Sequence, residues 1–98
     1  MLKYEETAKD RIKFYMVEDG VKATKFADML MEGLTLCLDF RNCPETEGNQ
    51  VLMFLEGVNY ATDGYPMLMK PKVFLFATKK DLKDPIIKQF IKDYKEAE

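Results

Sequence analysis

Group transfer needs a nucleophile or a tunable acid and base, and this sequence offers few. None of its 98 residues is histidine, serine or tryptophan. That removes a Ser–His triad, a histidine-ligated zinc site and an imidazole proton shuttle. Cys37, Cys43, the threonines, the lysines and the carboxylates remain. Cys37 falls between Thr35 and Asp39 on the side opposite Leu34, Leu36 and Leu38. A neighbouring carboxylate raises a thiol's pKa, the wrong direction for activation. Cys43 precedes Pro44 in an acidic loop. The two cysteines are spaced too widely for a Cys-x-x-Cys metal pair, and no histidine can complete a ligand set. They are expected to be free thiols of an intracellular protein.

Paired carboxylates can also do chemistry, as in glycoside hydrolysis. Asp39 and Glu56 would approach each other across two paired strands, with Arg41 beside them. That pattern reads as a solvated sheet face rather than an acid–base pair. The five glycines, at 20, 33, 48, 57 and 64, never come within two positions of one another, so no phosphate-cradling loop is present. No Asp-x-Asp-x-Asp spacing suits calcium. The expectation is a non-catalytic protein with no metal and no cofactor.

Charge narrows the partners. Fifteen Lys and Arg against seventeen Asp and Glu give −2, which favours neither nucleic acid nor a membrane surface. The distribution is uneven. Residues 34–69 carry Arg41 against Asp39, Glu45, Glu47, Glu56 and Asp63, whereas residues 70–98 carry eight lysines against five acids. Within that tail Lys88, Lys92 and Lys95 make a stripe beside the apolar face of a helix, the one place suited to phosphate contact. No segment approaches the ~20 apolar residues that cross a bilayer. The N-terminus turns acidic at Glu5 and Glu6 with no apolar run behind it, so no signal peptide is read and a cytoplasmic location is expected.

These residues need elements to hold them. No linker, repeat or low-complexity tract interrupts the chain, which reads as a single α+β domain over residues 1–98. Tyr4, Ala8, Ile12, Tyr15 and Met16 share one helical stripe, predicting a helix over 3–18 that stops at Asp19-Gly20. A second helix is expected over Lys22–Glu32, ended by Gly33. Strict alternation from Leu34 to Arg41 predicts a central strand with Leu36 and Leu38 buried. Asn42 to Gln50 reads as a loop. Residues 51–62 fit a strand, with a helix in a β-α-β unit as the alternative. The strand is preferred because Asp63-Gly64 is a two-residue hairpin signal between apolar arms. Pro66 and Pro71 make the second arm an edge, bulged or broken strand. Asp84 as N-cap and Pro85 at the first position open a last helix that buries Ile87, Phe90, Ile91 and Tyr94. The predicted order is α-α-β-β-β-α, a three-stranded antiparallel meander packed with two N-terminal helices and one C-terminal helix.

The segment from Asp19 to Leu30 resembles the opening of a Cro/repressor-type helix-turn-helix, with a Gly-apolar turn followed by apolar-Ala and then Leu three residues later. With the helix before it the likeness covers residues 12–31. It implies a DNA-reading helix next, but Leu34 to Leu38 alternates like a strand, and no basic residue lies between Lys25 and Arg41. A nucleic-acid-binding regulator, using that motif or the lysine stripe, is therefore the second reading.

Protein binding is the first. Seven Met, five Tyr and seven Phe form a soft apolar stock suited to recognition. Met67-Leu68-Met69 places apolar groups on both faces of a Pro-flanked strand, and a small sheet cannot bury both. Tyr60, Tyr65, Met67 and Met69 are the expected contacts of a small adaptor, or of a phage- or mobile-element-type inhibitor of a larger complex. A homodimer is the rival use of the same surface.

Overall fold

A computed structural model describes residues 10, 12–18 and 22–97. The element order is β-α-β-α-β-β-α-α: β1 (Ile12–Met16), α1 (Ala23–Met31), β2 (Thr35–Asp39), α2 (Glu45–Ala61), β3 (Gly64–Lys70), β4 (Val73–Thr78), α3 (Lys79–Lys83) and α4 (Pro85–Glu96). The strands form one mixed sheet in the order β1-β2-β4-β3. β1 runs parallel to β2, and β4 runs antiparallel to both β2 and β3. This overturns the expected three-stranded antiparallel meander.

The reason lies in how the sheet is covered. Leu36 and Leu38 of β2 and Phe76 of β4 pack with Phe26, Ala27 and Leu30 of α1 and Leu55 of α2. Cys37, Val73, Leu75 and Ala77 point the other way, into a second cluster with Ile12, Met69 and Ile87 of α4. Helices therefore cover both faces, and a strand buried on both sides carries apolar residues at both parities. β1, at the sheet edge, is only lightly covered, with Ile12 buried and Lys13, Phe14 and Met16 exposed, yet its apolar residues also fall at both parities. Ile12 and Phe14 face α4 while the Tyr15 ring packs at a tilt against Phe26 of α1. In sequence that apolar run matches helical spacing by coincidence. Of the helix expected over 3–18, residues 3–9 and 11 lie outside the described residues, as does its expected stop at Asp19-Gly20.

Residues 51–61 are helical, as the β-α-β alternative required, and α2 begins at Glu45 inside the expected loop. Its inward stripe is Gly48, Leu52, Leu55 and Asn59. Two of those four are not large apolar residues, which weakens the helical signal. Asp63-Gly64 joins α2 to β3 instead of turning a hairpin, with Asp63 at φ 62°. The hairpin turn is Pro71-Lys72, where proline pre-sets its own φ and Lys72 takes φ 64°.

Other local signals are where the sequence puts them. α1 lies within Lys22–Glu32 and is followed by Gly33 at φ 91°. Leu36 and Leu38 are fully buried in a central strand. The Asp84 side chain accepts the Ile86 N–H at 2.8 Å, and Pro85 opens α4. Where the helix-turn-helix likeness needs a first helix, residues 12–16 form strand β1, and only its second segment, as α1, is helical.

Candidate functional site

The face of α2 opposite Leu55 and Asn59 carries Met53, Glu56, Gly57 and Tyr60, all exposed. Their spacing keeps them on one helical stripe. β3 runs beside it and contributes Gly64, Tyr65 and Pro66, and together they line an open groove of about 440 Å³. Tyr60 is 81% exposed, Met53 72% and Tyr65 48%. A Cβ at Gly57 would meet no atom within 4 Å, so this glycine leaves the groove wall open. Leu68, 54% exposed, extends the apolar surface along β3 on the side of Pro66. Glu56 is the one charged residue in the lining. Asp63 and Lys79 form an exposed ion pair at 3.5 Å beside the groove, of little energetic weight at that separation and exposure.

The α2–β3 junction is held from inside. Asn59 is buried and its Nδ2 donates to the Ala77 carbonyl at 3.2 Å. A Cβ at Gly64 would lie 2.0 Å from that same oxygen and 2.7 Å from Asn59 Nδ2. Only glycine lets β3 start this close to the β4 backbone and the Asn59 side chain of α2.

Of the residues expected at a surface, Tyr60 and Tyr65 meet in this groove. Met67 and Met69 do not. Met67 is half-buried against the α4 cluster, and Met69, at the irregularity between Leu68 and Lys70, is buried within that cluster. Met53 and Gly57 escape the sequence reading because 51–62 fits a strand, and Leu68 because its neighbours Met67 and Met69 are the contacts that reading selects. The signal that finds the helical members is the i, i+4, i+7 spacing of Met53, Gly57 and Tyr60.

The residues singled out for chemistry are dispersed. Asp39 accepts hydrogen bonds from the Arg41 backbone N–H at 2.9 Å and from its guanidinium. That fork holds the Asp39 carboxyl below the usual carboxylate range. Glu56 stands on α2, across the sheet from the face that Asp39 shares with Cys37. Cys37 and Tyr94 border a shallow recess of about 220 Å³ with Phe14, Tyr15, Met16, Asp39 and Val73. Burial, then the Asp39 charge, pushes the Cys37 thiol up to about 11. Burial, with smaller contributions from Cys37 and Asp39, raises the Tyr94 phenol as well. Neither is an activated nucleophile at neutral pH. Cys37 and Cys43 are buried in two different core clusters.

Lys88, Lys92 and Lys95 are exposed along α4, with Asp93 and Glu96 among them. Among the described residues no group of three or more Cys, Asp or Glu is placed to hold a metal ion, and no helix is long and apolar enough to cross a membrane. Compared with models of known protein families and with curated proteins, the sequence matches none.

Proposed function

We propose that this chain is a non-catalytic protein-binding module whose recognition surface is the groove between α2 and β3. One observation carries the reading: Met53 and Tyr60, large and largely exposed, line a single open groove that the half-exposed Tyr65 also borders. Scattered exposed apolar side chains are ordinary on a monomer, whereas a contiguous set around a concavity marks a binding site. Tyrosine and methionine supply contact area with adaptable shape. Glu56 within the groove, and the acid excess of residues 34–69, favour a partner with basic residues at the rim of its apolar contact.

The test is capture from cells of the source organism on the immobilised full chain. It is repeated with a Met53→Lys/Tyr60→Lys double variant and a Lys88→Glu/Lys92→Glu/Lys95→Glu triple variant, each checked for native circular dichroism. A protein retained by the wild type and the triple variant but lost from the double variant is the expected result. An unchanged partner list in the double variant overturns the groove. Loss in the triple variant alone, of material released by moderate salt, supports the nucleic-acid reading instead.

A further inference from the structure

The two edges of the sheet are not equivalent. On β3, the Lys79 N–H bonds to the Asp63 carbonyl at 2.8 Å, and with the Gly64↔Thr78 register this turns the backbone groups of 64, 66 and 68 outward. Pro66 occupies the middle outward position, where its missing N–H costs no ladder bond and denies a donor to any incoming strand. On β1, the Val17 N–H bonds to the Asp39 carbonyl at 2.8 Å, which turns Lys13 and Tyr15 inward toward β2 and leaves the N–H and C=O of Ile12, Phe14 and Met16 facing out. Among the described residues no strand lies on that side. No proline interrupts it, and the side chains of Phe14 (58% exposed) and Met16 (45%) stand beside it.

We propose that the β1 edge pairs with β1 of a second copy of this chain, antiparallel about a two-fold axis through Phe14. The strand is self-complementary in that register. Phe14 faces Phe14 of the second copy, Ile12 faces Met16, and Lys13 faces Tyr15, so apolar meets apolar and each lysine meets an aromatic ring. All three outward residues on each strand find partners for both backbone groups. A register centred on Lys13 sets two lysines against each other, and one centred on Tyr15 loses the Ile12 pair. Beyond the strand ends Asp10 would oppose Glu18, which limits the pairing to these five residues. The result is one continuous sheet, β3-β4-β2-β1 meeting its two-fold copy. Its outer edges are both β3 and both carry Pro66, so the assembly closes at two copies. The contact is small, and the dimer is expected to dissociate on dilution.

Sedimentation equilibrium of the full chain over a rising concentration series, paired with residue-resolved amide exchange, tests this. The expected result is a monomer–dimer equilibrium without larger species. The amides of Ile12, Phe14 and Met16 become protected as concentration rises, while those of Lys13, Tyr15 and Val17, already bonded to β2, stay constant. Phe14→Lys sets two charges face to face across the axis and weakens the dimer at least tenfold with the monomer fold retained. If the lost Phe14–Phe90 contact unfolds that variant, Met16→Lys makes the same test. A monomer at every concentration overturns the proposal. So does a dimer whose protection falls on α2 or β3 and leaves the β1 amides unchanged.

Discussion

Two cysteines in a protein without histidine invite a redox or catalytic reading, and their surroundings argue against it. Cys37 is buried under α4 with the Asp39 carboxylate on the same strand, and both effects favour the neutral thiol. The consequence is a pH dependence of stability with a definite sign. The unfolded thiol ionises near its ordinary value of 9.0, whereas the folded one holds its proton to about 11. Between those values the unfolded state binds fewer protons, so stability falls as pH rises through that window. Below it the contribution is fully present. The comparison that isolates this contribution is with Cys37→Ala, which lacks only this thiol. Urea midpoints at about pH 8 and about pH 10.5 should show wild type losing more stability than the variant over the interval. Equal losses would mean that the thiol ionises freely in the folded protein, and that the α4 face is wetter than described.

At the scale of elements, what the sequence reveals depends on how local the determinant is. α4 is legible because Asp84, Pro85 and the Ile87/Phe90/Ile91/Tyr94 stripe lie within a dozen residues and each acts on the backbone beside it. β2 is legible because Thr35, Cys37 and Asp39 alternate with leucines, even though Thr35 and Cys37 are buried too. β1 is not, since it is an edge strand whose apolar residues fall at both parities, Phe14 toward Phe90 and Tyr15 toward Phe26, and those neighbours come from far along the chain. α2 is obscured by Gly48 and Asn59 on its inward stripe, and both residues are explained only by tertiary neighbours. Gly48 packs beside Phe40 and Cys43, and Asn59 reaches Ala77. The site follows the same rule: Tyr60 and Tyr65 flank the α2–β3 junction closely enough to be grouped from sequence, while Met53 joins them only once α2 is a helix. Gly64 is where this junction is most constrained. Gly64→Ala forces a methyl against the Ala77 carbonyl, a backbone atom that cannot swing aside. A loss of about 1–3 kcal/mol or more is expected in denaturant melts, as for other overpacked sites. A change within half a kilocalorie would show that β3 leaves α2 by a wider path.

The whole molecule is one sheet between two helical layers of unequal strength. α1 buries Phe26, Ala27 and Leu30 and shares its cluster with α2, which adds Leu55 and a seventeen-residue span. On the other face α4 fully buries only Ile87 and leaves Phe90, Ile91 and Tyr94 half-covered. Its far end is held by Lys70, whose ammonium lies 5.2 Å from the Tyr94 ring and bonds the Ala97 carbonyl. Exposed contacts of this kind contribute about 0.5–1 kcal/mol, less than one buried leucine. Local opening should follow that inequality, because a segment with few buried apolar contacts separates at lower free energy than the rest. Native-state hydrogen exchange in low denaturant is therefore expected to release the amides of α4 well before those of β2 and β4, with α1 and α2 remaining protected alongside the strands. Opening of α4 would uncover Cys37, Val73 and Leu75, so Cys37 should become alkylated under conditions where circular dichroism still reports most of the helix content of α1 and α2. If α4 amides exchange only with global unfolding, the two layers are one cooperative unit, and the partial burial of Phe90, Ile91 and Tyr94 holds α4 as firmly as α1 and α2 are held.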